Sequence, residues 1–207
     1  MRLYKFPKWL KRFYPNAIWD FFLNHPQNNI FLTFDDGPTP KITEWILNLL
    51  EEHNAKATFF CVGNNVKKYP KIYQKIILNG HAVGNHSMTH INGLKTSNTN
   101  YINNVQQANF NIQSNLFRPP YGKIKPKQYK TLTNLGYQTV FWSFIAYDFD
   151  STLSSKRRLK NIKQNIKPGA ILVFHDSKKA FPQLKNELPL ILNYISSKNY
   201  QCKAIKQ

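Results

Sequence analysis

From residue 30 onward, short apolar runs alternate with longer stretches in which apolar residues recur every three or four positions. The first pattern is typical of buried strands and the second of amphipathic helices. Strands are therefore expected at 30–34, 58–62, 82–84, 116–117, 138–142, 170–174 and 201–205, and helices at 41–52, 65–78, 98–113, 126–135, 156–166 and 184–196. Units of ~30 residues that alternate in this way form βαβ repeats with a parallel sheet. About seven such repeats favour closure into a barrel over an open sheet.

Polar and titratable residues fall where the predicted strands end. They are Asp35, Asp36, His86, His90, Arg118, Asp148 and His175. The carboxyl ends of parallel strands meet on one face of a βα barrel, and active sites are built on that face. This repeated placement indicates an enzyme.

The composition is that of a folded domain. A chain of 207 residues is expected to form one domain with a short N-terminal extension. Its 42% hydrophobic and 14% aromatic content excludes a disordered chain, and no apolar run approaches the ~20 residues of a membrane-spanning helix. Cys61 and Cys202 are isolated, so no disulfide framework is indicated. The net charge of +19 favours polyanionic partners, but without a helix-turn-helix, zinc-finger or RNP pattern we expect no nucleic acid partner.

The first 27 residues are basic and aromatic. We interpret 1–27 as an arm packed over the outside of a domain that spans 28–207, with contact to a membrane surface as the alternative. Asp20 interrupts the candidate apolar core of a signal peptide at 17–23, so no export signal is expected. The compartment stays open, and we expect a monomer.

Two adjacent acids, Asp35 and Asp36, follow an apolar run and precede Gly37 and Pro38. Gly37 can adopt a positive φ, and Pro38 cannot continue a strand ladder. Neighbouring carboxylates repel each other unless a cation or an arginine lies beside them. The segment is therefore either part of a metal or ion-pair site, or a surface turn of the kind that ends many strands.

His86 and His90 lie four residues apart, just after a predicted strand. On one helical turn both imidazoles would share a face, and two histidines with one carboxylate form a common site for a divalent metal. A pair of hydrogen-bonded histidines is the alternative. The carboxylates at another strand end favour the metal.

Two further segments supply a guanidinium and an imidazole. Arg118 begins a loop that Pro119 and Pro120 make rigid, so that its backbone N–H groups have a fixed orientation. A plain proline-rich connection is the alternative. His175 ends an apolar run and, with a carboxylate to orient it, is a candidate general acid.

In order and spacing, these segments resemble the polysaccharide deacetylases, the NodB-homology domain of carbohydrate esterase family 4. The segments that carry the resemblance are Thr33-Phe34-Asp35-Asp36-Gly37-Pro38, His86-Ser87-Met88-Thr89-His90, Arg118-Pro119-Pro120-Tyr121-Gly122, Trp142 with Asp148-Phe149, and Ile171-Leu172-Val173-Phe174-His175-Asp176. The resemblance covers about residues 30–205. It implies an α/β fold, a distorted (β/α)7-type barrel in a single domain. It also implies metal-dependent removal of N-acetyl groups, with release of acetate, from the N-acetylglucosamine of a glycan such as peptidoglycan or chitin.

The resemblance implies a role for each of these residues. One divalent metal, usually Zn²⁺ with Co²⁺, Mn²⁺ or Ni²⁺ as alternatives, would be held by Asp36, His86 and His90. Asp35 would be the general base, paired with Arg118. His175 would be the general acid, oriented by Asp148, and the backbone N–H of Tyr121 would stabilise the oxyanion. Substrate contacts would come from Pro120, Tyr121, Phe149, Ile171 and Val173.

Two positions depart from the family pattern. Ile145 stands where Asp is frequent, and Phe149 where Trp is frequent. Asp148 is retained, so the departures bear on substrate preference rather than on catalysis. Two other functions stay open: an esterase for O-acetyl groups on a glycan, and a catalytically weak module that binds glycans or polyanions.

Overall fold

The computed structural model describes residues 4–22 and 28–206. In this part of the chain, parallel strands form one eight-stranded sheet in the order β5-β4-β3-β2-β1-β7-β6, with β8 beside the start of β1. The strands are β1 (Asn29–Asp35), β2 (Ala57–Cys61), β3 (Ala82–Asn85), β4 (Leu116–Phe117), β5 (Gln138–Thr139), β6 (Phe144–Ile145), β7 (Ile171–His175) and β8 (Gln201–Cys202). The helices are α1 (Ile42–Glu52), α2 (Gly63–Lys68), α3 (Pro70–Leu78), α4 (Asn98–Ile112), α5 (Pro126–Asn134), α6 (Ser155–Asn165) and α7 (Phe181–Ser197). The predicted α/β class is confirmed: the sheet curls into a half-barrel surrounded by helices. None of the described helices is both long and apolar enough to cross a membrane.

Some predicted elements differ from those observed. The helix expected at 65–78 is two helices, α2 and α3, with Tyr69 (φ −127°, ψ 55°) between them. The helical conformation is disfavoured for a residue that precedes a proline, and Tyr69 precedes Pro70. The strand expected at 138–142 ends at Thr139; the next residue, Val140, still donates to the Phe117 carbonyl (2.8 Å) and forms an isolated parallel bridge with Ile18 of the arm. The last strand is likewise shorter than predicted, and β6 was not predicted at all.

Alternate residues of the central strands face opposite sides of the sheet. Leu32 and Leu172 pack outward against the helices in the largest hydrophobic cluster. Phe31, Ile171 and Val173 point inward and form a second cluster inside the barrel. The interior is therefore a packed core and not an open channel.

The arm packs against the same barrel. Its Tyr14 and Trp19 are buried in a third cluster, with Tyr129 and Phe141 of the domain. Residues 1–3 and 23–27 of the predicted arm lie outside the described residues.

Candidate metal centre and active site

The register of the sheet brings the predicted site residues to one place. Asp35 at the end of β1 is paired with His175 at the end of β7. Asn85 of β3 is paired with Phe117 of β4, so the residues that follow them, His86 and Arg118, are also neighbours. A cavity of about 620 Å³ opens at this end of the barrel. Of the predicted residues, its lining includes Asp35, Asp36, His86, His90, Tyr121, Phe149 and His175.

A tight turn separates the two adjacent acids. Asp36 leaves the strand with a φ of 86°, so that its side chain does not continue the alternation of β1. Asp176, which follows β7, binds the next residue of the turn. The Gly37 N–H donates to Asp176 Oδ1 (2.8 Å), and the Thr43 hydroxyl donates to Asp176 Oδ2 (2.6 Å). A Cβ on residue 37 would lie 1.8 Å from Asp176 Oδ2, so only glycine fits. Asp176 thus positions the turn, a role that the sequence analysis did not assign to it.

Asp36, His86 and His90 form a three-residue donor set, with ligand atoms that all lie within 4.8 Å of one another. Asp36 Oδ1 is 3.2 Å from His90 Nε2 and 3.9 Å from His86 Nε2. This buried oxygen accepts no hydrogen bond from any described residue, and a buried polar atom without a partner needs an explanation. One carboxylate and two imidazoles are a suitable set for a divalent transition metal. These residues therefore fit a metal ion.

The protonation states also suit a metal. Burial lowers the pKa of His86 to about 4, so its imidazole is neutral at pH 7. Its Nδ1–H donates to the Arg118 carbonyl (2.8 Å), which leaves Nε2 free to act as a ligand. Burial opposes ionisation of Asp36, but three nearby histidines outweigh it and hold its pKa well below the usual range. Neutral imidazole and ionised carboxylate are the ligand forms that metals require.

The two ligand histidines share a face without the helical turn that the sequence analysis considered for them. The segment is a loop in which Ser87 and His90 have positive φ values of 64° and 55°. Side-chain amides satisfy its backbone: the Ser87 N–H donates to Asn85 Oδ1 (2.8 Å) and the Met88 N–H to Asn104 Oδ1 (2.9 Å). Such local hydrogen bonds compete with helix formation.

Arg118 holds the first acid inside the barrel. The guanidinium is fully buried and lies 4.0 Å from the centroid of the Phe60 ring. Its Nη1 donates to Asp35 Oδ1 (2.7 Å) and Thr33 Oγ1 (2.6 Å), and its other nitrogens donate to the backbone carbonyls of residues 140 and 141. The second oxygen, Asp35 Oδ2, lies on the side of the metal ligands, 4.0 Å from His86 Nε2. One oxygen of Asp35 is thus bound to arginine, and the other faces the cavity.

Asp148 binds His175 at two points. The His175 backbone N–H donates to Asp148 Oδ2 (2.7 Å), and the ring Nδ1–H donates to Asp148 Oδ1 (2.8 Å). Burial lowers the pKa of His175, but Asp148 and two further carboxylates outweigh that effect and raise it to about 9. Phe149 packs edge-on against the imidazole, with the ring centroids 4.9 Å apart. At neutral pH the His175 ring is therefore a protonated imidazolium, and Asp148 fixes its orientation at the cavity.

Tyr121 lies at the cavity mouth in the turn formed by residues Pro120–Gly122. Its φ of 61° is unusual for a bulky residue, and its hydroxyl is 3.2 Å from His90 Nδ1. A histidine that ligates a metal commonly bonds a second group through its other nitrogen. The Tyr121 side chain is therefore in place to orient His90.

The structure does not bring three predicted substrate contacts to the cavity. Ile171 and Val173 are completely buried inside the barrel, because they occupy inward positions of β7. Pro120 is also buried and does not line the cavity. Residues that the sequence analysis did not assign line it instead: Phe6, Gly122, Lys123, Trp142, Ile145, Tyr147, Ser177 and Lys179. Of these, Gly122 and Trp142 stand in the segments that resemble the family, and Ile145 is one of the two positions that depart from its pattern.

Comparisons with known proteins agree with this geometry. A family model described as polysaccharide deacetylase matches residues 23–140, more than half of the chain. A peptidoglycan-N-acetylglucosamine deacetylase from Bacillus cereus is 33% identical over an alignment of 178 residues, and the match covers 83% of this chain and 84% of that protein. The crystal structure of the Bc1960 peptidoglycan N-acetylglucosamine deacetylase has a TM-score of 0.82 at 28% identity and covers 95% of this chain and 93% of that one. BA3943, a CE4 family pseudoenzyme from Bacillus anthracis, has a TM-score of 0.79 at 25% identity, over 92% of this chain and 68% of that one. The chain therefore belongs to the polysaccharide deacetylase family, carbohydrate esterase family 4.

Proposed function

We propose that this protein is a metal-dependent deacetylase that hydrolyses the N-acetyl groups of N-acetylglucosamine in a glycan and releases acetate. The observation that carries the proposal is the meeting of a metal donor set, an acid and a base at one cavity. The fold alone does not decide activity, since a pseudoenzyme shares it. The case for catalysis therefore rests on the individual residues at the cavity.

Asp36, His86 and His90 would hold the metal, and we propose Zn²⁺, with Co²⁺, Mn²⁺ or Ni²⁺ as substitutes. When bound, such an ion supplies a Lewis acid for the acetyl carbonyl and favours ionisation of the attacking water. The chain's own contribution is to orient both imidazoles, through the Arg118 carbonyl for His86 and the Tyr121 hydroxyl for His90. Burial keeps the His86 imidazole neutral, because it lowers the pKa of that residue to about 4.

Asp35 would act as the general base. Its Oδ1 is taken up by Arg118 at 2.7 Å, and its Oδ2 faces the metal ligands. This oxygen can accept a proton from the attacking water without leaving the ion pair. A carboxylate that instead bound the metal through the same oxygen would not be free to do so.

His175 would act as the general acid. With a pKa of about 9 it carries its proton at pH 7. Because Nδ1–H is bound to Asp148, the proton available to the substrate is the one on Nε2. It would pass to the leaving nitrogen as the C–N bond breaks, and the backbone N–H of Tyr121 would stabilise the oxyanion.

Two lysines favour an anionic glycan such as peptidoglycan over neutral chitin. Lys123 and Lys179 line the cavity. Among the described lining residues the only carboxylates are Asp35 and Asp36, which are committed to Arg118 and the metal. A carboxylate on the substrate would therefore meet uncompensated positive charge.

The test is acetate release from peptidoglycan fragments and from chitooligosaccharides of equal length, with and without a chelator. We expect activity that chelation abolishes and Zn²⁺ restores, with a preference for the anionic substrate that falls at high salt. The double variant Lys123→Gln/Lys179→Gln should lose this preference, whereas Lys178→Gln, an exposed lysine outside the cavity, should keep it. No acetate from any N-acetylated glycan, or full turnover in chelator, would refute the proposal.

A further inference from the structure

We infer that the N-terminal arm is a part of the active site and that Phe6 is a specificity-determining residue, whose ring forms a wall for the sugar. The family model begins at residue 23, so residues 4–22 of the arm lie outside it. The inference rests on the proposed function, because it assigns a substrate contact at the same cavity.

The arm occupies the opening of the sheet. Among the described residues no ladder joins β5 to β6, the two edges of the strand order. Ile18 binds one side of this gap: its N–H donates to the Thr139 carbonyl (2.9 Å), and its carbonyl accepts from the Phe141 N–H (2.7 Å). On the other side, the Tyr4 carbonyl accepts from the Ile145 N–H of β6 (3.1 Å), and the Phe21 N–H donates to the Gly169 carbonyl (2.8 Å) just before the neighbouring strand β7. The arm therefore adds backbone hydrogen bonds on both sides of the opening.

Aromatic packing fixes the position of Phe6. Trp19 stacks on Phe141 with a centroid distance of 4.1 Å and an angle of 11°. Phe6 packs edge-on against both rings, at 5.1 and 5.2 Å. Aromatic pairs in this arrangement add stability beyond the area that they bury. The ring of Phe6 is thus held by the domain and does not depend on the substrate for its position.

The same ring reaches the catalytic cavity. Phe6 lines it next to Trp142, with the centroids 4.7 Å apart. A Cβ on Gly122, which follows the predicted oxyanion residue, would lie 2.8 Å from Phe6 Cζ, so the arm is in direct contact with that turn. The arm also binds Ile145, one of the two positions that depart from the family pattern: the Ile145 N–H donates to the Tyr4 carbonyl (3.1 Å).

An apolar aromatic wall is suited to the C–H face of a pyranose, because ligand cavities pair apolar walls with a few polar groups. The Phe6 side chain has no polar atom, and no ring pair of the described residues joins it to His86, His90 or His175. It would bind the ground state and the transition state equally. Loss of such an interaction raises KM and leaves kcat unchanged.

The test compares Phe6→Ala with Trp9→Ala on a short N-acetylglucosamine oligosaccharide. Trp9 is the matched control, because it belongs to the same arm but is 62% exposed and does not line the cavity. We expect Phe6→Ala to raise KM about 10-fold or more, because the sugar then loses the apolar contact area that the ring provides. The kcat should stay within about threefold of wild type. Trp9→Ala should leave both constants unchanged. Phe6→Leu, which keeps apolar volume without a ring, should give an intermediate KM.

Thermal unfolding and zinc content are measured on each variant, so that a misfolded protein is recognised. If Phe6→Ala fails to fold, Phe6→Leu carries the test with the same expected direction. A wild-type KM in a folded Phe6 variant overturns the inference while the proposed function stands. Equal losses of kcat in Phe6→Ala and Trp9→Ala would also overturn it, since the arm would then be only structural. If the wild-type protein itself releases no acetate, the proposed function fails first.

Discussion

The contact between Asp148 and His175 offers a quantitative test of the proposed general acid. Asp148 accepts two hydrogen bonds from His175, one from the backbone and one from the ring. In Asp148→Asn the side chain has one acceptor oxygen and an NH₂ group instead of two acceptor oxygens. One of the two hydrogen bonds is therefore lost, and the negative charge next to the imidazolium is lost in either orientation. The pKa of His175 must fall.

The size of the effect follows from the observed shift. The pKa of His175 is raised from 6.5 to about 9, against the effect of burial. At 1.36 kcal/mol per unit, this shift amounts to about 3 kcal/mol of preference for the imidazolium in the folded state. Asp148 contributes the largest part, and a bound cation would oppose the smaller parts from Asp36 and Asp35. We therefore expect the basic limb of the pH–rate profile to move down by at least about 1 unit, because burial then acts with less opposition.

The same shift changes stability in a pH-dependent way. A histidine whose pKa is raised on folding stabilises the native state fully below pH ~6.5, and this contribution is lost as the pH rises through about 9. The difference in Tm between wild type and Asp148→Asn should thus be largest near pH 6, about 5–10 °C for a chain of this size. It should shrink towards pH 10. The part due to the lost hydrogen bond should remain.

The assay is kcat/KM for acetate release from pH 5 to 10, with zinc content and the ring proton of His175 followed by NMR. Zinc content should be unchanged, since Asp148 is not one of the three candidate ligands. A basic limb that does not move, with a folded and metal-loaded variant, would refute the assignment of His175 as the acid that Asp148 orients.

Three other predictions test the site. Asp36→Ala should lower metal affinity by orders of magnitude. Asp35→Asn should keep the zinc content near stoichiometric and lower kcat by ~10²–10⁴, the usual contribution of a general base. If Asp35→Asn instead loses the zinc and Asp36→Ala keeps it, the two roles are reversed. Removal of the metal should lower Tm by about 5–10 °C, since an ion at 100 times its Kd stabilises the fold by ~2.7 kcal/mol, and an unchanged calorimetric Tm would contradict this. Gly37→Ala should destabilise the fold by about 3 kcal/mol in urea unfolding, because its Cβ would meet Asp176 at 1.8 Å, whereas Gly136→Ala, with nothing within 4 Å, should cost only the strain of its positive φ.

The sequence by itself determined the class of fold and most of the chemistry. Apolar runs and helical periodicity depend only on neighbouring residues, so they located most of the strands and helices without any tertiary information. Parallel strands place all their carboxyl ends on one face, and for this reason Asp35 and His175 could be expected to meet although they are far apart in the chain. Their register pairing in the sheet confirms that expectation.

Only the tertiary structure decided which side chains complete the site. Periodicity assigns a residue to a face of the sheet, but it does not give the path of a loop or the partner of an edge. The loop that carries His86 and His90 follows hydrogen bonds to a distant helix rather than a helical turn. Asp176 reaches Gly37 across 139 residues because β1 and β7 share a register. Phe6 enters the cavity because the arm binds an opening between two strand edges, and an opening of that kind exists only once the sheet has curled.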